Sequence, residues 1–284
     1  MLFYSFSIHS EQILEESNNK EWNGENYHHY SQIQYQLAHE LLKLYSFQGE
    51  EKILDVGCGD GKITTEIAAK IPSGCVVGVD KSASMIAFAQ RTFGSLLFAN
   101  LHFELQDAVA LPYENAFDVV FSFCCLHWVK DQLAALKSIH SSLKPYGLFF
   151  AVLPYAVNNL DRATNATIEK SRWKDYFKDY VHPARPYDTE EYNQLLSAAN
   201  FTPLLVRMRE TTMVFDGREQ LLKWLQPLLP HLQWIPTNDH RALIDDIIDT
   251  LLSQHPQALH NSGAIHIPLP VLEVKAQKLE LINS

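Results

Sequence analysis

Residues 53–61 read ILDVGCGDG, and this stretch decides the fold class. The apolar run from Lys52 to Val56 predicts a buried strand, and glycines at positions 57, 59 and 61 predict a tight turn after it. Ile63, Ile67 and Ile71 follow at helical spacing. The sequence therefore predicts a strand, a glycine-rich turn and a helix.

The same alternation of strand and helix continues along the chain. Further strands are predicted at residues 75–79, 101–105, 117–123 and 147–153, with helices after the N-cap Ser82 and from Asp131 to Leu143. Such alternation argues for a mainly parallel, doubly wound sheet, because right-handed crossovers place helices on both faces. Ligands of such sheets bind at the carboxyl ends of the strands. We therefore expect a Rossmann-like α/β fold with its site at that edge.

The regular pattern stops after Pro154. Residues 158–187 are polar and aromatic, residues 190–199 look helical, residues 201–215 alternate like a strand, and residues 266–275 predict a last strand. Residues 217–259 predict two or three helices with more apolar surface than a solvated segment needs, namely Trp224, Leu225, Leu228, Leu229, Leu232 and Trp234. Two interpretations stay open for these helices, a mobile cap over the strand ends and a subdomain packed permanently on the sheet.

These patterns divide the chain into three parts. Residues 1–24 are expected to be an N-terminal extension, and residues 25–157 the ligand-binding core, which begins with a helix between Glu25 and Leu44. Residues 158–284 are expected to supply the remaining core strands, with helical cap insertions at about 158–187 and 217–259. We expect these insertions to determine the shape of the substrate pocket.

The overall composition limits the classes of partner. The 284 residues carry a formal net charge of −10, and this acidic balance disfavours nucleic acid, which clustered lysine and arginine usually bind. The four cysteines lack metal-site spacing, the N-terminus has no basic leader, and no apolar run is long enough for a membrane helix. We therefore expect a soluble, cytoplasmic protein without a metal and without nucleic-acid or membrane partners.

The charges around the glycine-rich turn indicate the kind of ligand. Position 62, where a dinucleotide-binding turn has its third glycine, is Lys62, and Asp55 and Asp60 flank the turn. These carboxylates repel a pyrophosphate but can hold the ammonium group of an amino-acid-like ligand. A nicotinamide dehydrogenase is therefore disfavoured.

Acidic residues also follow the next two strands. Asp80 is placed to accept hydrogen bonds from ribose hydroxyls, and Asp107 can accept one from an adenine amino group, with Met85 against the ring. Each acid alone could instead cap a helix or lie solvated in a loop. Acids at the ends of three successive strands, after a glycine-rich turn, favour a nucleoside site.

Together, residues 53–61, Asp80, residues 106–108 (QDA) and residues 143–147 (LKPYG) resemble class I methyltransferases. The last motif usually reads LKPGG, so Tyr146 departs from it, in a turn expected to lie away from the site. The resemblance implies S-adenosylmethionine as the cofactor and S-adenosylhomocysteine as its product. S-adenosylmethionine carries an ammonium group and no phosphate, in agreement with the acidic residues above. The cofactor-binding residues that it implies are Tyr27, Asp55, Gly57, Cys58, Gly59, Asp80, Lys81, Met85, Asp107, Ala108 and Phe123.

Within that superfamily, residues 117–129 (FDVVFSFCCLHWV) are similar to a segment of juvenile hormone acid methyltransferases and, less closely, of trans-aconitate methyltransferases. Both groups methylate carboxylates. In the former, a glutamine on the N-terminal helix and a tryptophan after the fourth strand are associated with the acid, and here they match Gln34 and Trp128. The alternatives are a surface helix position for Gln34 and a buried turn for Trp128 and His127. His28 and His29 are expected to be solvated or to cap the helix.

The chemistry of a carboxylate fits these residues. It is ionised at neutral pH and needs no general base to attack the sulfonium methyl group, so alignment and desolvation suffice. Gln34 can donate a hydrogen bond to one oxygen while Trp128 and His127 wall the group. We therefore predict O-methylation of a small or carrier-bound carboxylic acid. A malonyl-carrier-protein methyltransferase of biotin synthesis and a non-catalytic S-adenosylmethionine-binding protein stay open as alternatives.

Overall fold

The structure is a computed structural model that describes residues 24–94, 98–155 and 158–279. Its strands are β1 (Lys52–Val56), β2 (Cys75–Asp80), β3 (Leu101–Leu105), β4 (Phe117–Phe123), β5 (Leu143–Pro154), β6 (Phe201–Phe215) and β7 (Ile265–Lys278). They form one sheet in the order β3-β2-β1-β4-β5-β7-β6. Strands β1 to β5 are parallel, whereas β7 runs antiparallel to both β5 and β6. The sheet is therefore mainly parallel, as predicted.

Helices cover both faces of this sheet. They are α1 (Gly24–Tyr30), α2 (Gln32–Leu42), α3 (Lys62–Lys70), α4 (Ala83–Phe93), α5 (Gln132–Ser142), α6 (Asn159–Ile168), α7 (Thr189–Ala198), α8 (Arg218–Leu228) and α9 (His240–Gln254). One apolar cluster joins α2, α3, α4 and the helices α6, α8 and α9 to the sheet, and a second cluster joins α5 and α7 to it. This is the predicted doubly wound, Rossmann-like fold. None of the helices in the described ranges is long and apolar enough to cross a membrane.

The predicted N-terminal helix is wrong in one respect, because it is divided at Ser31. This residue is buried with φ −85° and ψ 24°, outside the helical region, and α2 begins after it. The two parts bury different faces: Gly24 of α1 packs beside Phe88 of α4, whereas α2 packs Leu37 and Leu41 into the core of the sheet. The sequence predicts one N-terminal helix between Glu25 and Leu44, because apolar spacing alone does not reveal two separate packing partners.

Polar contacts fix the position of α2. The Tyr35 hydroxyl donates a hydrogen bond to Glu66 of α3. On the other side, Glu40 lies 2.5 Å from the guanidinium of Arg209, which also pairs at 2.7 Å with Glu273, a residue that is only 2% exposed. Since buried charges are stable only when they are paired, these contacts tie α2 firmly to strands β6 and β7.

Helices α6, α8 and α9, from the segments after β5, pack together beside the sheet. The hydroxyl groups of Thr167 and Thr250 bond at 2.8 Å and join α6 to α9. Trp173 Nε1 donates to Asp246 at 2.8 Å and adds a second polar link. Of the predicted N-terminal extension, only Gly24 lies within the described residues.

Candidate active site

A cavity of about 240 Å³ lies at the carboxyl edge of the parallel strands. Twelve of the residues predicted from the sequence line it, namely Tyr27, Gln34, Gly57, Gly59, Asp80, Lys81, Met85, Asp107, Ala108, Phe123, His127 and Trp128. The remaining two, Asp55 and Cys58, line a smaller adjoining pocket that shares Gln34 and Gly59 with the cavity. The fold therefore brings all the predicted residues to one place.

The glycine-rich turn after β1 depends on its lack of side chains. Gly57 has φ +77°, and a Cβ there would lie 2.2 Å from the Cys125 sulfur, so only glycine fits. Gly59 has φ +54°, and a Cβ there would lie 3.6 Å from the Tyr27 ring. The turn thus exposes bare backbone beside an aromatic ring, which allows a ligand to approach it closely.

Asp80 ends β2 and holds the turn in place. Its Oδ2 accepts a hydrogen bond from the Gly59 N–H at 3.0 Å, and its Oδ1 accepts one from the Ser82 N–H at 2.9 Å. Burial raises the pKa of Asp80, although these backbone donors and Lys81 oppose the rise. Each oxygen keeps a second lone pair, so Asp80 can both support the loop and accept hydrogen bonds from a ligand.

Asp55 is almost fully buried at the end of β1. The Thr64 hydroxyl donates to its Oδ2 at 2.6 Å, while its Oδ1 is buried without a hydrogen-bond partner among the described residues. Burial raises the pKa of Asp55 to about 7, with a hydrogen bond from Thr64 opposing the rise and the neighbouring carboxylates of Asp80 and Asp60 contributing to it. A buried acceptor without a partner is costly, so this carboxyl group suits a cationic donor.

Asp60 was predicted to share this role, and the structure gives it partners of its own. Its Oδ2 lies 2.8 Å from Nδ1 of His28 in α1, and its Oδ1 accepts the Lys62 N–H at 3.2 Å. The prediction that His28 is solvated or capping is therefore wrong, because His28 links α1 to the turn and packs against Phe88. Sequence spacing did not reveal this pair, which lies 32 residues apart.

The loop after β3 forms another part of the cavity wall. Asp107 is exposed, and its carboxylate accepts the Val109 N–H at 3.1 Å, as the capping interpretation expects. Ala108 and Met85 are buried beside the cavity, and the Ser82 hydroxyl caps the helix that carries Met85. Capping leaves Asp107 with acceptor capacity that faces the cavity, so both interpretations are compatible with the structure.

Gln34, His127 and Trp128 line the same cavity, and His127 packs against Trp128. His127 is 7% exposed, and burial lowers its pKa to about 3, with a smaller contribution from His182. The ring centroids of His127 and Trp128 are 5.2 Å apart. Gln34 Oε1 and His127 Nδ1 are buried and have no hydrogen-bond partner among the described residues. Gln34 is thus not a surface residue, and the imidazole is neutral at physiological pH.

Several residues of the cavity were not singled out from the sequence. They are Tyr155, Asn158, Leu160, Asp161, Thr164, His182, Ala184, Met213 and Leu269. His182 stacks on Trp128 at 6.1 Å with the ring planes 27° apart. Of the apolar cap residues, Trp224, Leu225, Leu228 and Leu229 line the cavity, whereas Leu232 and Trp234 pack in the adjoining core. The spacing of apolar residues in the sequence does not distinguish the cavity-lining residues from the core residues, because their packing partners lie in distant segments of the chain.

The donor and acceptor groups of the cavity fit S-adenosylmethionine. Asp80 offers carboxylate oxygens near an apolar wall at Met85, the glycines of the turn leave space beside it, and Asp55 Oδ1 is a buried acceptor without a described partner in the adjoining pocket. No cluster of three or more histidine, cysteine, aspartate or glutamate residues suited to a metal ion occurs in the described part of the chain.

A doubly wound sheet with a glycine-rich turn after β1 and an acid ending β2 is an arrangement with which Rossmann-like domains bind a nucleoside cofactor. The family model described as a methyltransferase domain matches residues 48–200, and the chain belongs to this family.

Named relatives and solved structures agree with this assignment. Juvenile hormone acid O-methyltransferase of Drosophila melanogaster is 28% identical over 253 residues, which cover 83% of this chain and 84% of the relative. Trans-aconitate 2-methyltransferase of Deinococcus radiodurans is 27% identical over 242 residues, which cover 83% and 92%. The crystal structure of the YcgJ protein of Bacillus subtilis shares the fold with a TM-score of 0.60 at 18% identity, over 87% of this chain and 100% of that one.

Proposed function

We propose that this methyltransferase esterifies a carboxylic acid by methylating one carboxylate oxygen. The observation that carries the proposal is the burial of His127 against Trp128 in the cavity wall, 7% exposed with the ring centroids 5.2 Å apart, a burial that also lowers the pKa of His127 to about 3. An imidazole with that pKa is too weak a base to take a proton from a hydroxyl or an ammonium group. A carboxylate is already ionised and needs no such base.

The relatives support the same chemistry, because the names of two of them specify an acid as the substrate. Both matches extend over most of this chain, including the cavity-lining segments after residue 158. We therefore propose a small-molecule or carrier-bound acid as the substrate.

S-adenosylmethionine would supply an electrophilic methyl group on its sulfonium. We propose that Asp55 and the backbone at Gly57 and Gly59 hold its amino-acid end and that Asp80 holds its ribose. These groups have the matching charge and open acceptor positions. The further residues proposed to contact the cofactor are Tyr27, Cys58, Lys81, Met85, Asp107, Ala108 and Phe123.

The substrate carboxylate would lie between Gln34 and Trp128. The Gln34 amide can donate a hydrogen bond to the oxygen that does not react, and the rings of Trp128 and His127 limit the rotation of the group. Their apolar surfaces exclude water from a nucleophile that hydration would weaken. Catalysis then follows from alignment and desolvation without transfer of a proton.

We also propose that residues 25–157 form the cofactor-binding core and that the insertions at 158–187 and 217–259 form a cap on the substrate side. Both insertions contribute residues to the cavity wall, among them His182 and Leu228. One fold can accept different substrates when such inserted segments differ, because they line the substrate side of the site.

The test is methyl transfer from labelled S-adenosylmethionine to a panel of carboxylic acids, with the matching alcohols and amines as controls. We expect label in a product that mild base hydrolyses, as an ester requires. Label only in the alcohol or amine arm would overturn the proposal.

A further inference from the structure

The cavity lined by Gln34 and Trp128 is also lined by apolar residues of β6, of α8 and of the turn after α8. We name this the apolar wall and define it as Met213, Trp224, Leu225, Leu228 and Leu229. Met213, Leu225 and Leu229 are buried, while Leu228 and Trp224 are half-buried. Leu160 and Leu269 extend the same surface. The wall thus offers hydrocarbon to whatever part of a substrate lies beyond its reacting group.

The polar side chains next to the apolar wall are already engaged. The side-chain oxygen Oδ1 of Asn158 accepts the N–H groups of Leu160 and Asp161, and the Asp161 carboxylate in turn accepts the Asn158 backbone N–H. The Thr164 hydroxyl donates to the Leu160 carbonyl at 2.9 Å. These contacts stabilise the first turns of α6 and engage the Asn158 side-chain oxygen, the Asp161 carboxylate and the Thr164 hydroxyl within the helix.

The charges of the cavity are also unfavourable for a second anionic group. Lys81 is the only lysine or arginine among its described lining residues, and it follows Asp80 at the cofactor end. Three aspartates line the cavity, and the buried His127 is neutral because its pKa is about 3. The Trp224 indole N–H is buried without a partner among the described residues, but one neutral donor does not offset the desolvation of a carboxylate.

We infer that the substrate has a single carboxylate and an apolar body, and that the apolar wall selects it against acids with further carboxylates. The inference rests on the proposed function, since it assigns the reacting group to the Gln34 and Trp128 end. The proposed substrate differs from trans-aconitate, the acid in the name of one relative, because aconitate carries three carboxylates. The shared fold is compatible with acids that carry one or several carboxylates, whereas the apolar wall of this cavity favours an acid with a single carboxylate.

The experiment measures binding to protein saturated with S-adenosylhomocysteine, so that it does not depend on turnover. Straight-chain monocarboxylic acids of six, eight and ten carbons are compared by calorimetry with α,ω-dicarboxylic acids of equal length and with trans-aconitate. We expect affinity to rise about fourfold for each added methylene. A terminal carboxylate should lower affinity by at least about tenfold. Tighter binding of trans-aconitate, or no effect of chain length, would overturn the inference.

A charged variant tests whether the apolar wall is responsible. Leu228→Lys places a cation on the half-buried position of the wall, and Gln226→Lys places the same charge on the exposed face of the same helix. Leu228→Lys should raise the ratio of diacid affinity to monoacid affinity by about tenfold or more. The reason is that the new ammonium group can pair with the second carboxylate of the diacid. Gln226→Lys should leave the ratio unchanged, and both variants should bind S-adenosylhomocysteine normally. An unchanged ratio in a Leu228→Lys protein that binds S-adenosylhomocysteine contradicts the inference.

Turnover separates failure of the inference from failure of the proposed function. Esterification of trans-aconitate in preference to decanoic acid leaves carboxylate methylation intact and removes the role of the wall. Conversely, methylation of an apolar amine or alcohol without methylation of any acid would overturn the proposed function. The dependence of acid binding on chain length would in that case still test the role of the apolar wall.

Discussion

Asp80 combines two tasks in one side chain, because it both supports the glycine-rich turn and faces the cavity. Asp80→Ala should weaken S-adenosylmethionine binding by about 1.5–3 kcal/mol, the usual loss when a charged acceptor is removed. Calorimetry measures the affinity, and a thermal melt reports the accompanying loss of loop support.

Asp131 supplies a matched control for Asp80. It is an exposed helix cap that accepts the Ala134 N–H at 2.9 Å and does not line the cavity. Asp131→Ala should lower stability through loss of the cap but leave cofactor affinity unchanged. If folded Asp80→Ala also keeps its affinity, Asp80 is a capping residue and not a ribose ligand.

Gln34 and Trp128 should separate substrate chemistry from cofactor binding. Gln34→Ala and Trp128→Ala are expected to lower kcat/KM by roughly 10- to 100-fold, because each removes a contact to the acid, while cofactor affinity stays nearly intact. Kinetics and calorimetry on the same preparations measure both effects. Gln36→Ala, at an exposed position of the same helix that does not line the cavity, should change neither. An equal loss of cofactor affinity in both site variants would refute this division of the cavity.

The strand-end aspartates and the glycine-rich turn could be predicted residue by residue from the sequence. They follow short apolar runs, and the end of such a run locates the end of a strand. Asp55, Asp80 and Asp107 were found in this way. The contacts of His28 with Asp60 and of His182 with Trp128 could not be predicted, because they join distant segments whose relative placement depends on packing.

Helix α8 and helix α9 have different relations to the cavity. The inner face of α9 is fully buried through Leu243, Ile247 and Leu251, whereas α8 carries residues of the cavity wall. Pro227 lies within the last turns of α8 and has no N–H to contribute to the helix. We propose that, within the insertion at 217–259, residues 219–235 form the mobile part of the cap and α9 forms its fixed support.

Hydrogen exchange tests this division of the cap. Adding S-adenosylhomocysteine together with a true acid substrate should slow exchange across residues 219–235, because closure shields α8 and the turn after it. Residues 241–254 of α9 should show little change and serve as the internal reference. Slowed exchange confined to the turn at Gly57 would favour a permanently packed subdomain.

The strands of the sheet could be predicted along its whole length, including β6 and β7, but the pairing of these last two strands could not. The bounds of β1, β3 and β4 follow from apolar runs that each end at a polar residue or turn. The insertion of β7 between β5 and β6 depends on antiparallel pairing between residues far apart in the chain, such as Phe150 with Lys275. Local patterns predict that these strands exist, but they contain no information on which neighbours they choose.

The buried carboxyl of Asp55 links cofactor binding to the stability of the whole protein. Its folded pKa of about 7 lies above the usual value, so its contribution to stability is present below about pH 4 and is lost as pH rises through about 7. Asp55→Asn keeps an acceptor for the Thr64 hydroxyl and removes the charge. We expect it to stabilise the ligand-free protein by about 2 kcal/mol at pH 8 and to have little effect at pH 5, as measured by denaturant unfolding.

The same substitution should weaken cofactor binding. Loss of the carboxylate removes a charged acceptor for the ammonium group, so S-adenosylmethionine affinity at pH 8 should fall by roughly tenfold or more. Glu190→Gln, which neutralises an exposed acid on α7, controls for net charge and should change neither property. A gain in stability that is equal at pH 5 and pH 8 would mean that Asp55 is ionised in the folded protein at both. Unchanged S-adenosylmethionine affinity in Asp55→Asn would instead show that Asp55 does not hold the cofactor. The Asp55 carboxylate would then be a buried charge that lowers stability without contributing to binding.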